Sequence, residues 1–154
     1  MKLKAVVEIP KGCDRRIHLS YDGINFIDLG LIKEQIPVNE GVMPICYGYI
    51  ENTINKIEKD NIDVIIFSNK SYHSKDKIDI EIIGMLNMED GDHKVIAVDD
   101  SVTFKDFNEI NTKERNLILE YFGYKSKIIS IDNKYNTFEY IQSCIFCGGR
   151  VPAK

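Results

Sequence analysis

The sequence predicts a mainly β fold with some α-helix (α+β), in which a small β-barrel or curled sheet carries helices on its outside. Short segments that are rich in β-branched residues or alternate between apolar and polar residues fill positions 5–98, as strands do. Patterns with helical periodicity come only after residue 110. A run of strands followed by helices is typical of this class.

The predicted strands follow one another at short intervals. Asp22-Gly23 favours a hairpin turn between two of them, and a bend is expected at Gly84 within the longest one. The strands are predicted at residues 5–10, 15–21, 24–27, 43–50, 64–67, 78–88 and 93–98.

Two helices are predicted after the strands. Asn111-Thr-Lys-Glu114 has the pattern of a capping box at a helix start, and Gly123 is a typical helix end. A second helix is predicted over residues 135–147. The apolar face of the first helix consists of Leu117, Ile118, Tyr121 and Phe122.

The chain of 154 residues is long enough for one domain with its own core. We expect a single domain over residues 1–147, and we expect residues 148–154 to form a mobile tail. The formal net charge of -4 gives no basic footprint for nucleic acid or an anionic membrane. Neither a signal peptide nor an apolar run of membrane-spanning length is present in the sequence, and the expected location is cytoplasmic.

Four cysteines, Cys13, Cys46, Cys144 and Cys147, are present. In a cytoplasmic protein, disulfides between them are not expected. Cys144 and Cys147 have the spacing of half a zinc site, but no second pair of ligands lies nearby in the sequence. A structural metal and free thiols on the last helix are therefore both open.

Three carboxylates, Glu58, Asp60 and Asp63, directly precede the apolar run 64–67. In an extended segment, side chains two residues apart point the same way. Converging carboxylates repel one another unless a cation neutralises them, and Mg²⁺ suits an all-oxygen cluster. A solvated acidic loop before a buried strand is the alternative interpretation.

Several ordered blocks of the sequence together resemble the soluble family I inorganic pyrophosphatases. The resemblance runs from about residue 5 to residue 125, and its centre is the acidic signature Glu58-x-Asp60-x-x-Asp63, with Glu58 in place of the first aspartate. The other blocks are residues 7–12, Met43-Pro44-x-x-Tyr47-Gly48-Tyr49, residues 83–90, Asp92-x-Lys94-x-Ile96-Ala97-Val98 and Phe122-x-Tyr124-Lys125.

The resemblance implies a five-stranded OB-like barrel with helices packed outside, and hydrolysis of pyrophosphate with Mg²⁺, for which Mn²⁺ or Co²⁺ could substitute. It assigns Asp60 as the general base for a metal-bridging water, and Glu8 as a support of the metal shell. It also implies a small anionic phosphate substrate and a homo-oligomer, a hexamer in bacterial relatives. The implied metal ligands are Glu58, Asp63, Asp90 and Asp92, and the implied phosphate-binding residues are Arg16, Tyr47, Lys94, Tyr124 and Lys125.

The chain departs from the family pattern mainly among the groups that grip phosphate. Arg16 stands where the family has lysine, and His18 where it has a carboxylate. Gln35 falls at the position of a phosphate-binding arginine, and Met43 at that of a tyrosine. The turn from Asp90 to Asp92 is also about three residues shorter than in the family.

These departures leave three hypotheses. The first, which the surviving carboxylates favour, is a Mg²⁺-dependent inorganic pyrophosphatase, with a full or a reduced rate. The second is a metal-dependent hydrolase of another phosphate compound, with Gln35 and Met43 in a reshaped pocket. The third is a non-catalytic homologue that binds metal or phosphate.

Overall fold

The structure, a computed structural model, describes residues 2–20 and 23–145. Its strands are β1 (Lys2–Ile9), β2 (Arg15–Leu19), β3 (Phe26–Leu31), β4 (Cys46–Ile50), β5 (Asp63–Phe67), β6 (Lys77–Met88), β7 (Lys94–Val98) and β8 (Ile128–Asn133). Its helices are α1 (Thr112–Phe122) and α2 (Lys134–Ser143), with short 3-10 turns at Ile32–Glu34, Val38–Gly41 and Phe107–Glu109.

Five strands close into a barrel in the order β1-β4-β5-β7-β6, because β6 also pairs with β1. The pair β5–β7 is parallel, whereas β1–β4, β4–β5, β6–β7 and β1–β6 are antiparallel. Closure leaves these strands without a free edge. The predicted five-stranded barrel with helices outside is confirmed.

Strand β5 is buried on both of its faces, which explains its uninterrupted apolar sequence. Val64 and Ile66 belong to a hydrophobic cluster that includes Ile141 of α2. Ile65 and Phe67 point the other way, into a cluster that includes residues of α1. The two faces of β5 therefore pack into different clusters, and the acidic residue that begins β5, Asp63, is fixed at the end of a rigid element.

The long strand β6 pairs with two different strands, β1 and β8, along one edge. Its first part pairs with β1 and its last part, from Gly84 to Met88, pairs with β8. A register shift between Ile82 and Gly84 interrupts its pairing with β7 at the glycine where a bend is expected. A Cβ at position 84 would lie 2.8 Å from the carbonyl oxygen of Asp132, so only glycine permits this close approach.

Several predicted boundaries were wrong. Residues 128–133 form β8, which the sequence analysis left unassigned, and β4 begins at Cys46 rather than at residue 43. The hairpin β2–β3 forms its own two-stranded sheet beside the barrel, and its turn includes residues outside the described part of the chain.

Both helices begin within one residue of the position predicted from the sequence. Asn111 caps α1 by accepting from the backbone N–H groups of Lys113 and Glu114, and Gly123 follows its last turn. Helix α2 ends at Ser143, four residues before the predicted end. Cys147 and the predicted tail at 148–154 lie outside the described residues, so the zinc hypothesis and the tail remain predictions. No helix within the described residues is long and apolar enough to span a membrane.

Candidate active site

A cavity of about 240 Å³ lies where the turn between β6 and β7 faces β2, the Ile32–Glu34 turn and the end of α1. One part of its wall is charged and another is apolar. Its polar lining consists of Arg16, His18, Gln35, Tyr47, Asp90, Asp92, Lys94, Lys125 and Ser126. Its apolar lining consists of Ile9, Ile32, Ile36, Met43, Met88, Tyr121 and Phe122.

The central charged group of the cavity is Lys94. Its ammonium lies 2.8 Å from Asp63 Oδ2 and 2.8 Å from Asp92 Oδ2, and it donates to the Tyr47 hydroxyl at 3.2 Å. Sheet register produces this arrangement, because Asp63 and Lys94 are paired at the start of the parallel strands β5 and β7. The side chains of Lys94 and Asp63 are only 11% and 14% exposed, so their charges interact with little screening by water.

The ionisation of these groups is coupled. Burial alone would lower the pKa of Lys94, but Asp63 and Asp92 raise it above its ordinary value, so the ammonium stays charged. Burial and then the Asp63 carboxylate raise the pKa of Asp92. Burial would also raise the pKa of Asp63, but the charge of Lys94 and hydrogen bonds with Asp92, Lys94 and Tyr47 together lower that pKa below its ordinary value. Burial raises the pKa of Tyr47, which therefore keeps a neutral hydroxyl.

The donor chemistry of this group fits a hard divalent cation. Asp63 and Asp92 already share one cationic group, the Lys94 ammonium, so their carboxylates are close enough to share a charge. Mg²⁺ is usually held by one or two carboxylates and completed by water and substrate phosphates. Within the described residues, no group of three or more carboxylate, histidine or cysteine side chains is close enough to hold a metal. A cation held by Asp63 and Asp92 would take its other ligands from substrate and water.

Two further cations predicted from the sequence line the same cavity. Arg16 lies on β2, and Lys125 follows α1. The Lys125 ammonium donates to Gln35 Oε1 at 2.6 Å. Together with Lys94, these side chains make the polar part of the cavity suited to a small anion with more than one negative charge.

Five of the predicted residues, Glu8, Glu58, Asp60, Asp63 and Tyr124, are not among the cavity-lining side chains. Glu8 is buried in β1, where its Oε2 accepts from the Leu19 N–H at 2.8 Å and lies 3.7 Å from His18 Nδ1. His18 lines the cavity. Glu8 therefore lies directly behind the cavity wall, where it can support His18. Tyr124 is 54% exposed and lies outside the cavity lining, next to Lys125.

The extended geometry assumed for Glu58 and Asp60 is wrong. Residues 56–59 form a turn, which Asn55 and Asp60 close as an isolated antiparallel bridge, and Lys59 has a positive φ of 59°. This turn interrupts the alternation of side chains that an extended segment would have. The directions of the Glu58 and Asp60 carboxylates therefore cannot be deduced from that of Asp63. Glu58 is exposed, and the Asp60 carboxylate accepts from the N–H of its neighbour Asn61 at 2.8 Å.

The four departures at positions 16, 18, 35 and 43 all lie in the cavity wall. The sequence analysis also missed the contribution of Tyr121 and Phe122, which it assigned only to the core face of α1. Their helical spacing is the same for a core and for a cavity wall, so no local signal separated the two roles. Phe122 stacks on Tyr47 with ring centroids 6.0 Å apart and thereby joins α1 to the charged group.

The fold and the cavity define a class of protein: a small closed barrel with a pocket lined by both cationic and anionic side chains. Residues 5–145 match the family model described as inorganic pyrophosphatase. The chain belongs to the inorganic pyrophosphatase family, and family membership makes it a hydrolase with a general requirement for a divalent metal.

Curated relatives agree with this assignment. The inorganic pyrophosphatase of Halalkalibacterium halodurans is 33% identical over 114 residues, which are 71% of this chain and 66% of the relative. The inorganic pyrophosphatase of Sulfolobus acidocaldarius is 27% identical over 136 residues, which are 82% of this chain and 75% of the relative.

Solved structures share the fold. The inorganic pyrophosphatase of Ehrlichia chaffeensis superposes with a TM-score of 0.83 at 20% identity and covers 94% of this chain and 93% of its own. That of Thermus thermophilus gives a TM-score of 0.81 at 20% identity, with coverage of 94% and 89%. At this identity the likeness establishes the barrel architecture rather than the details of the site.

Proposed function

We propose that this chain hydrolyses inorganic pyrophosphate to two phosphates in the cavity around Lys94, with Mg²⁺ as its cofactor. The observation that carries the proposal is the position of Lys94 and Asp92 in a pocket that also contains Arg16 and Lys125, with Asp63 paired to Lys94 directly behind the pocket wall. Pyrophosphate is a small, highly charged anion, and a site for it needs both cations and a means of neutralising repulsion toward incoming hydroxide.

In this proposal Asp63 and Asp92 hold the metal most directly, and Asp90 and Glu58 complete its acidic surroundings. When bound, divalent metal supplies charge neutralisation of the phosphates and lowers the pKa of the attacking water. Mn²⁺ or Co²⁺ could replace Mg²⁺, since both accept carboxylate oxygen ligands. The arrangement of Asp63 and Asp92 around one ammonium supports this assignment.

The protein side chains have separate tasks in the reaction. Lys94, Lys125 and Arg16 bind phosphate oxygens, and the Tyr47 hydroxyl donates to them. Charge-assisted hydrogen bonds of this kind stabilise negative charge that moves onto the leaving phosphate. Asp60 accepts the proton of the attacking water, and a new P–O bond forms as the bridging P–O bond breaks. Glu8 holds His18 and β2 in place.

The cavity wall supports a second candidate, hydrolysis of another phosphate compound. Gln35 and Met43 both line the cavity, at positions where the family has an arginine and a tyrosine. Their replacement makes this part of the wall less cationic and more apolar, which suits a substrate with fewer charges or an organic group. The absence of the family's arginine and tyrosine at these two positions also suits a non-catalytic homologue that binds metal or phosphate.

Assembly and location are also part of the proposal. We expect a homo-oligomer, of six subunits by analogy with bacterial relatives, in the cytoplasm. Exposed apolar side chains on the β2–β3 hairpin support a subunit contact, since Ile27 and Leu29 are 42% and 47% exposed. Sedimentation of the purified chain tests this part independently of activity.

Phosphate release from pyrophosphate, measured with and without Mg²⁺, tests the function. The protein should come from a host shown to lack contaminating pyrophosphatase. Turnover that stops on chelation supports the first candidate. A better substrate in a panel of phosphate esters and anhydrides would select the second, and absence of turnover with Mg²⁺, Mn²⁺ and Co²⁺ would select the non-catalytic homologue.

A further inference from the structure

Asn55 connects the turn that carries Glu58 and Asp60 to the turn that carries Asp90 and Asp92. Its side-chain Nδ2 donates to the carbonyl oxygen of Gly91 at 2.8 Å. Asn55 is only 3% exposed, so this bond is protected from competition with water. The bond spans 36 residues of sequence and joins two segments whose carboxylates are all assigned to the proposed site.

The other polar atoms of Asn55 hold its own turn. Its Oδ1 accepts from the N–H groups of Ile57 at 2.9 Å and Glu58 at 3.2 Å. Its backbone N–H donates to Asp60 at 2.6 Å, and its carbonyl accepts from Lys59 at 2.8 Å. One residue therefore fixes both ends of the turn in which Glu58 and Asp60 lie.

A packing contact supports the same connection. Gly91 has a φ of 83° and lies against Ile57, whose Cδ1 would be 2.7 Å from a Cβ at position 91. Ile57 is itself 69% exposed, so it is not a core residue. Its contact with Gly91 covers the backbone between Asp90 and Asp92, both of which line the cavity.

We propose that Asn55 is a positioning residue that fixes the Asp90–Asp92 turn against the Glu58–Asp60 turn and thereby sets the cation affinity of the site. This inference rests on the proposed metal-dependent function. The turn between Asp90 and Asp92 contains one residue, so movement of the Gly91 carbonyl displaces both carboxylates at once. Residues that orient metal ligands from behind change affinity even though they do not touch the metal.

Binding of Mn²⁺ alone, measured by electron paramagnetic resonance of the free ion, tests the inference without turnover. Asn55→Asp keeps the oxygen that accepts from Ile57 and Glu58 but removes the donor to Gly91. Asn55→Ala removes both. We expect each variant to bind Mn²⁺ about tenfold more weakly than the parent. By electrostatics alone, the added negative charge of Asn55→Asp would tighten cation binding. Weaker binding by this variant would therefore identify displacement of the Asp90–Asp92 turn as the cause.

Thr137→Ala is a matched control for stability. Thr137 is fully buried in α2, and its hydroxyl donates to the Asn133 carbonyl at 2.8 Å. Its loss should lower the urea midpoint while leaving Mn²⁺ affinity unchanged. If Asn55→Ala does not fold, Asn55→Asp and Ile57→Ala still test the connection, since Ile57 is mostly exposed.

The outcomes separate this inference from the proposed function. Parental Mn²⁺ affinity in Asn55→Asp and Ile57→Ala would overturn the role of Asn55 and leave the function standing. A parent that neither binds Mn²⁺ nor hydrolyses pyrophosphate would overturn both. Weaker binding in the Asn55 variants but not in Thr137→Ala would support the inference.

Discussion

Lys94 and Asp63 lie side by side at the start of two parallel strands, and their side chains form a 2.8 Å ion pair. Asp92 contacts the same ammonium. Lys94 thus has two possible tasks, to neutralise the carboxylates and to bind phosphate. A divalent metal bound by the carboxylates would supply their neutralising charge and would leave the Lys94 ammonium free to bind substrate.

Lys94→Met should destabilise the protein and make its stability depend on metal. Without the ammonium, Asp63 is left as a mostly buried carboxylate beside Asp92, and loss of one partner of a buried ion pair costs about 3 kcal/mol. Mg²⁺ should restore more stability to Lys94→Met than to the parent, because it replaces the missing charge. Urea unfolding with and without Mg²⁺ measures this, and an equal response of both proteins would contradict the proposed cation position.

Asp63→Ala and Asp92→Ala should each abolish metal-dependent phosphate release. Each change removes one of the two carboxylates that contact Lys94, and with it an anionic ligand for the proposed metal. Rates should be followed over a range of Mg²⁺ concentrations to separate weaker metal binding from loss of chemistry. Full activity in both variants would refute the proposed mechanism.

Gln35→Arg should lower the KM for pyrophosphate about tenfold, since a charge-assisted hydrogen bond contributes roughly 1.5 kcal/mol or more. The new guanidinium would face the cavity beside Lys125, which now donates to Gln35. Gln35→Met serves as the control that removes the acceptor without adding charge. If KM for pyrophosphate does not fall, the site is adapted to a different phosphate compound.

Asp99→Asn should destabilise the protein at neutral pH but much less in acid. Asp99 is 5% exposed and accepts from Tyr72 at 2.6 Å and from the Ser101 N–H at 2.9 Å. Burial alone would raise its pKa, but these bonds and those from the Ser101 and Ser68 hydroxyls lower it below its ordinary value.

A lowered carboxyl pKa stabilises the folded state above the unfolded pKa of about 4, and this contribution is lost as pH falls toward the folded pKa. We therefore expect a deficit of about 1–3 kcal/mol for Asp99→Asn at pH 7. The deficit should shrink below about pH 4. Denaturant unfolding across this range provides the measurement, and a deficit that does not change with pH would show that the Asp99 charge has no part in stability.

The strands of the barrel could be predicted because the burial of their side chains is visible in the local pattern of apolar and polar residues. The apolar run of β5 and the alternation at the start of β6 indicate strands whatever their partners are. Strand β8 could not be predicted in this way. Its residues Ile129 and Ile131 are 58% and 43% exposed, and only pairing with β6 makes the segment extended.

The acidic and basic residues of the candidate site were also identifiable, since their order along the chain resembles a known family. The geometry of these residues could not be predicted from the sequence. The turn after Asn55 removed Glu58 and Asp60 from the extended line expected before β5. Turn conformation depended on hydrogen bonds to Asn55 and a contact with Gly91, which no periodicity in the sequence encodes.

The sequence by itself determined the class of fold, the family and the chemical types of residue available to the site. Only the tertiary structure decided that Lys94 lies between Asp63 and Asp92 and that Lys125 reaches Gln35, 90 residues away. Hydrophobic periodicity is a local property of the chain, whereas these contacts depend on strand register and loop closure between distant segments.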